Sequence, residues 1–210
     1  LILTHNPNAK TLLDVGCGTG AHLEHLRDRF ECEGVDLDDQ MLLVAAERTP
    51  GVHLQQADMA DLDLGRTFDA ITCLFGSIAY MRTLERVGEA IRRMARHLNP
   101  GGILIVEPFL TPDKWQPGHI YADFVDEPEL KIMRASRTAR ENRIAHIDFE
   151  YLIFTLEDTI RETERHTVGL FTDQELTDAL TAAGLESSFD PVGIFGDRGM
   201  FVATAPTLRP

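Results

Sequence analysis

At 210 residues with no break in composition the chain is sized for one domain, and a chain of that length buries about two-thirds or more of the surface that its unfolded form exposes. Twenty basic against 34 acidic residues leave a net charge of −14, which argues against a polyanion such as DNA or ribosomal RNA as a substrate, because such binding is led by Lys and Arg neutralising phosphates. Cys17, Cys32 and Cys73 are odd in number, widely spaced and set in apolar surroundings, so neither a disulfide frame nor a metal site is expected, and a reducing cytoplasm fits. No apolar run reaches the ~18 residues of a membrane span. No signal peptide is read ahead of the first strand, and a start at Leu1 rather than Met points to a preceding segment.

In chain order, residues 1–3 read as the end of a helix stopped by the Asn6-Pro7-Asn8 turn. Residues 11–15 then make a short apolar run carrying one acid, followed by Gly16, Gly18 and Gly20 and a helical pattern over 21–29. A buried parallel strand that must turn sharply around a ligand is written this way, since glycine accepts positive φ and lets backbone approach closely. His22 and His25 lie one turn apart on that helix, and with no third donor nearby they read as a helix face. Asp36 ends the next apolar stretch, and Asp38 or Asp39 caps a helix over 40–48 whose Met41, Leu42, Val44, Ala45 and Ala46 form the expected buried stripe. Asp58 closes a third strand begun at Val52, and residues 68–75 read as a central strand buried on both faces.

The loop from Gly76 to Arg82 follows at the carboxyl end of that strand, where open α/β sheets bind ligands. Leu84, Val87, Ile91, Met94 and Leu98 repeat at helical spacing up to Asn99-Pro100-Gly101-Gly102, and a fifth strand follows over 103–107. From Thr111 the alternation fails. Residues 111–128, with their prolines and Trp115, His119, Tyr121 and Phe124, read as irregular; 131–140, 145–155 and 160–170 read as strands of an antiparallel flap laid over the active-site end of the sheet. Thr172-Asp173-Gln174-Glu175 is a capping box that reopens the main fold, and two last strands around 187–194 and 199–205, joined through Phe195-Gly196-Asp197-Arg198, close it as a hairpin. The expected architecture is α/β: a doubly wound, mostly parallel seven-stranded sheet in a single domain over 1–210, with the flap inserted at about 111–170 after strand five.

Gly16-x-Gly18-x-x-Ala21 also satisfies a relaxed dinucleotide fingerprint, which leaves an NAD-dependent oxidoreductase as one reading. Asp14 and Asp58 count against it. Asp14 precedes the first glycine, where it would oppose a pyrophosphate but suit an ammonium; Asp36 stands at the right distance to hold a ribose diol; Asp58 is placed to accept from an exocyclic adenine amine. Acids at three successive strand ends fit S-adenosylmethionine, which is cationic and has no phosphate. Here the chain resembles the class I S-adenosylmethionine-dependent methyltransferases, and the resemblance puts Asp14, Gly16, Cys17, Gly18, Gly20, Asp36, Leu37, Met41, Asp58, Met59 and Leu74 on the cofactor.

A narrower resemblance rests on residues 68–78, Val106-Glu107-Pro108-Phe109, Arg134-x-Ser136 with Arg140, Gly169-Leu170-Phe171-Thr172, and Asp197 to Val202. These look like the N,N-dimethyltransferases of nucleotide-linked amino deoxysugars. That family usually has a His followed by Met where this chain has Tyr80-Met81, and an aromatic-rich amino-terminal lid without counterpart in this sequence. The resemblance implies a small-molecule acceptor, with no nucleic acid and no membrane involved, and admits a homodimer. Tyr80, Glu107 and His119 are the candidates for shaping the amine pocket, with packed aromatic, solvated acid and surface histidine as their plainer alternatives. Ser77, Arg134 and Arg198 are the candidates for substrate binding, Arg198 for a pyrophosphate. A methyltransferase-like module without catalysis is the third reading.

Overall fold

Leu12, Leu13 and Val15 are each fully buried, which is why Thr11–Val15 (β1) forms at the middle of a sheet covered on both faces. The computed structural model of the protein describes residues 1–194, 196 and 198–207. In chain order its main sheet uses β1, β2 (Glu31–Asp36), β3 (His53–Gln56), β4 (Phe68–Cys73) and β5 (Leu98–Val106), and ends with the last two strands of the chain. Between them come β6 (Ile120–Glu127), β7 (Leu130–Glu141), β8 (Ile144–Thr155) and β9 (Thr159–Gly169), then β10 (Glu186–Asp190) and β11 (Met200–Thr204). The seven-stranded sheet has the order β10-β11-β5-β4-β1-β2-β3, and β6 to β9 make a separate four-stranded sheet in sequential order. β1 to β5 run parallel, while β11 is antiparallel to both β5 and β10.

The helices are α1 (Ile2–His5), α2 (Ala21–Leu26), α3 (Asp39–Arg48), α4 (Leu84–Arg96) and α5 (Asp173–Ala182), with a 3-10 turn over Ser77–Met81. Val87, Ile91, Met94, Leu176 and Leu180 fill one face of the sheet, and Ile2, Leu12, Leu23, Phe30 and Ile105 fill the other. This is the doubly wound arrangement expected. The capping box is present, Thr172 Oγ1 accepting from the Glu175 amide while the Glu175 carboxylate accepts from that of Thr172. The turn through Phe195 and Asp197 lies outside the described residues.

Three local expectations change. Residues 120–127 are not irregular: Ile120, Ala122 and Phe124 alternate with Tyr121, Asp123 and Val125, and the prolines at 112, 117 and 128 lie outside the strand, so β6 pairs with β7 from end to end. β7, whose four basic side chains Lys131, Arg134, Arg137 and Arg140 would suit a guarded edge, is an inner strand between β6 and β8. Its Lys131 pairs with Asp126, Arg134 with Asp123 and Arg137 with Asp148. In α3 only Ala45 is buried, and Met41 and Val44 are exposed, because this helix covers the outer edge of the sheet beside β3. Among the described residues, no helix is long and apolar enough to cross a membrane.

Candidate active site

Asp14 is the last polar side chain of β1, and it is only 1% exposed. Its Oδ1 accepts a 2.7 Å hydrogen bond from the Thr72 hydroxyl on β4. Its Oδ2 has no hydrogen-bond partner among the described residues and lies 4.0 Å from Nδ1 of His22. Burial pushes the Asp14 carboxyl up to about 6, against the opposing pull of Thr72 and His22. A buried carboxylate oxygen left open at the carboxyl ends of parallel strands is a receptor for a cation.

The glycine loop wraps this acid. Gly16 has φ +73 and Gly18 φ +53, the left-handed region that other residues avoid. A Cβ on Gly16 would sit 2.8 Å from Cβ and Oγ of Ser77, whereas one on Gly18 would meet open space, which is the face offered to a ligand. Gly16→Ala is therefore expected to destabilise the protein by about 1–3 kcal/mol; a urea midpoint equal to that of the parent would show that the Ser77 turn gives way instead. The Gly18 amide donates to Asp36 Oδ2 at 2.7 Å, and the Asp38 amide donates to Oδ1 at 3.0 Å. Asp36 thus ties the loop to the start of α3, which Asp38 caps, and each carboxylate oxygen keeps a second lone pair for a ligand.

Around these groups the structure gathers most of the expected cofactor residues. Cys17 is buried, and burial pushes its thiol up to about 12, so it serves as a neutral packing group. The Met59 side chain lies 3.9 Å from where a Gly16 Cβ would stand, and the Leu74 carbonyl accepts the Ser77 hydroxyl at 2.8 Å. Gly20, at φ +74, starts α2. Leu37 and Met41 are exposed beside Asp36 at the rim. Asp58 is more committed, its Oδ1 accepting from the Ala60 amide at 2.9 Å and its Oδ2 from Arg86 at 2.7 Å.

The opposite wall is built where β4 and β5 end. Phe75 adopts φ +56, an uncommon conformation for a bulky residue, and its amide donates to Glu107 Oε2 at 2.8 Å. Glu107 is 2% exposed and its Oε1 has no partner among the described residues. The Arg198 guanidinium lies 4.7 Å over the Phe75 ring and 5.5 Å from that of Phe109, with Nη1 buried and unpartnered among the described residues. Tyr80, half-exposed on the 3-10 turn, hydrogen-bonds His166 of β9. Arg134 pairs with Asp123 at 2.6 Å and faces the Phe149 ring. His119 is exposed and stacks on Tyr121. The sequence reading assigns no role to Phe75, Phe109, Glu164 or His166: a positive φ at phenylalanine has no sequence signal, and the histidine lies 86 residues from the tyrosine it meets.

A family model described as a methyltransferase domain matches residues 12–102. The dTDP-3-amino-3,6-dideoxy-alpha-D-glucopyranose N,N-dimethyltransferase of Streptomyces fradiae is 39% identical over 96% of this chain and 79% of its own length. The dTDP-3-amino-3,4,6-trideoxy-alpha-D-glucopyranose N,N-dimethyltransferase of Streptomyces venezuelae is 37% identical over 96% of this chain and 86% of its own. Among solved structures, the S-adenosylmethionine-bound amino pentose methyltransferase CalS10 of Micromonospora echinaspora superposes with a TM-score of 0.88 at 39% identity, covering 97% of this chain and 86% of that one. Streptomyces venezuelae DesVI gives 0.92 at 36% identity with the same coverages. The oxidoreductase and non-catalytic readings fall away: the chain belongs to the class I S-adenosylmethionine-dependent methyltransferases, in the family of the nucleotide-linked amino-sugar N,N-dimethyltransferases.

Proposed function

We propose that the protein N-methylates the amino group of a nucleotide-linked deoxysugar. S-Adenosylmethionine supplies a sulfonium-activated methyl group, so the transfer is an in-line displacement that asks mainly for alignment. Holding the nucleophile near 3 Å in line and excluding water are worth up to roughly 7–11 kcal/mol in well-oriented systems. Asp14 takes the ammonium of the donor, Asp36 its ribose diol and Asp58 its adenine amine, while Cys17, Leu37, Met41, Met59 and Leu74 supply the apolar walls between them. Glu107, through its open Oε1, accepts an N–H of the acceptor amine. The flap over 111–170 covers the acceptor, and Ser77 and Arg134 line its path within one domain. His119 stands exposed on the flap and is given no part.

Arg198 carries the acceptor assignment. A guanidinium laid over two phenylalanine rings, with one buried nitrogen unpartnered among the described residues, is a fork prepared for an anionic group such as a pyrophosphate. Turnover of a labelled methyl donor against a panel of amines, free amino sugars and nucleotide-linked amino sugars tests this directly. Arg198→Ala is expected to lower kcat/KM about ten- to a hundred-fold for the nucleotide-linked sugar, the equivalent of one charged hydrogen bond, and to spare the free sugar. Equal losses on both would remove the phosphate contact from the proposal.

A second copy of the chain is the proposed macromolecular partner. The outer face of the flap leaves Ile120 and Phe124 exposed and forms a shallow groove between Phe124, Met133, Leu152 and Arg161. Sedimentation velocity should give a dimer that Phe124→Asp disperses. The cytoplasm is the proposed compartment, in keeping with three free, buried cysteines.

A further inference from the structure

We infer that Tyr80, His166 and Glu164 form a proton relay that strips the acceptor amine before each methyl transfer, an inference that rests on the amine-methylating reading above. The Tyr80 hydroxyl is hydrogen-bonded to Nδ1 of His166, on the face of β9 turned toward the 3-10 turn, and the relay takes Tyr80 as the donor. Nε2 of His166 lies 2.9 Å from Oε1 of Glu164, and the other oxygen of Glu164 accepts from Tyr151 at 3.2 Å. The Phe149 ring meets the imidazole edge-on at 5.3 Å. With Nδ1 accepting, the ring proton sits on Nε2 and is held by the carboxylate, so the imidazole is oriented to take a second proton. A base positioned by a third group is the arrangement that activates a nucleophile.

The charged and titratable neighbours of this line are Glu164 and Tyr151 on the flap, Arg134 with its partner Asp123, and Asp36 across the crevice. Partial burial, Glu164 and Asp36 all push the Tyr80 phenol above its ordinary value, so it stays protonated near neutrality and passes a proton on instead of storing one. An ammonium N–H gives its proton to the Tyr80 oxygen as the Tyr80 proton moves to Nδ1 of His166. The imidazolium, paired with Glu164, later loses its proton to water at the partly exposed rim. The nitrogen lone pair then forms the N–C bond as the C–S electrons return to sulfur, and the new secondary ammonium must be stripped again before a second transfer. Tyr80 is the catalytic residue here, while His166 and Glu164 position and receive.

His166→Gln is the decisive variant, because glutamine keeps an acceptor and a donor in place but cannot take up a proton. Rates on a nucleotide-linked amino sugar are measured from about pH 6.5 to 9.5 for the parent, Tyr80→Phe and His166→Gln, with S-adenosylhomocysteine affinity reporting an intact cofactor site. Both variants are expected to lose about a hundred-fold or more near pH 7, to recover toward the parent near pH 9.5, where hydroxide removes the proton, and to accumulate monomethylated product. Independently of turnover, 15N-histidine spectra of the parent should show His166 with Nδ1 bare, a signal that Tyr80→Phe moves. Parent activity with pH profiles that run parallel in His166→Gln, or an Nδ1 that already carries the proton, overturns the relay and leaves the methyltransferase reading standing. A parent inert toward every amine on the panel overturns that reading and the relay together. Should Tyr80→Phe fail to fold, His166→Gln and the parent spectra decide the matter.

Discussion

Asp36→Ala is expected to weaken S-adenosylhomocysteine binding about a hundred-fold, a larger effect than loss of one ligand contact, because two things go at once. The carboxylate can no longer accept from the ribose diol, at ~1.5–3 kcal/mol for charged hydrogen bonds. It also no longer receives the Gly18 amide at 2.7 Å or the Asp38 amide at 3.0 Å, so the glycine loop loses its tie to the start of α3. Titration calorimetry separates the two contributions when Asp36→Asn is run alongside: the amide keeps one acceptor, and an intermediate loss is expected. Binding within a few-fold of the parent for the alanine variant would reject Asp36 as the ribose acceptor and as the loop's anchor.

The second large effect concerns Asp14, and its sign depends on what is measured. Burial lifts its carboxyl to about 6 in the folded, unliganded chain, against 3.8 when unperturbed. Between those values the folded state binds the extra proton, so this group adds stability as pH falls from about 6 toward about 4 and takes it away as pH rises. A donor bound as proposed, with its ammonium at Asp14, demands the opposite state, a charged carboxylate. Affinity for S-adenosylmethionine should therefore hold from pH 7 down to about 6 and drop about tenfold by pH 5. Asp14→Asn should bind the donor about ten- to a hundred-fold more weakly at pH 7, with this step removed from its profile. The unliganded variant should also unfold at a higher urea concentration than the parent at pH 7 and lose that advantage toward pH 4. A parent whose affinity is level from pH 7 to 5 would place the ammonium elsewhere.

These two acids were legible because each announces itself locally. A carboxylate at the tip of an apolar run, followed by glycines at alternate positions, describes a strand, its end and a close-approach turn within ten residues, and all of that survives in the folded chain. The strand and helix alternation through α4 was legible for the same reason, since a period of two or of 3.6 is a property of neighbouring residues. Where periodicity had to compete with composition it misled: the prolines and aromatics around 111–128 concealed β6, which the register with β7 holds in place. Met41 and Val44 read as a buried stripe, yet α3 lies at an edge of the sheet with little to bury them against.

By itself, then, the amino-acid order determined a doubly wound sheet with acids and a glycine turn at its strand ends, because short-range sterics and apolar patterning decide those features. Only the tertiary structure could decide that Tyr80 meets His166, that Arg198 lies over Phe75 and Phe109, and that one oxygen each of Asp14 and Glu107 stays buried without a partner among the described residues. Contacts of that kind depend on strand register and on where the chain returns after a long excursion, and no local pattern encodes either.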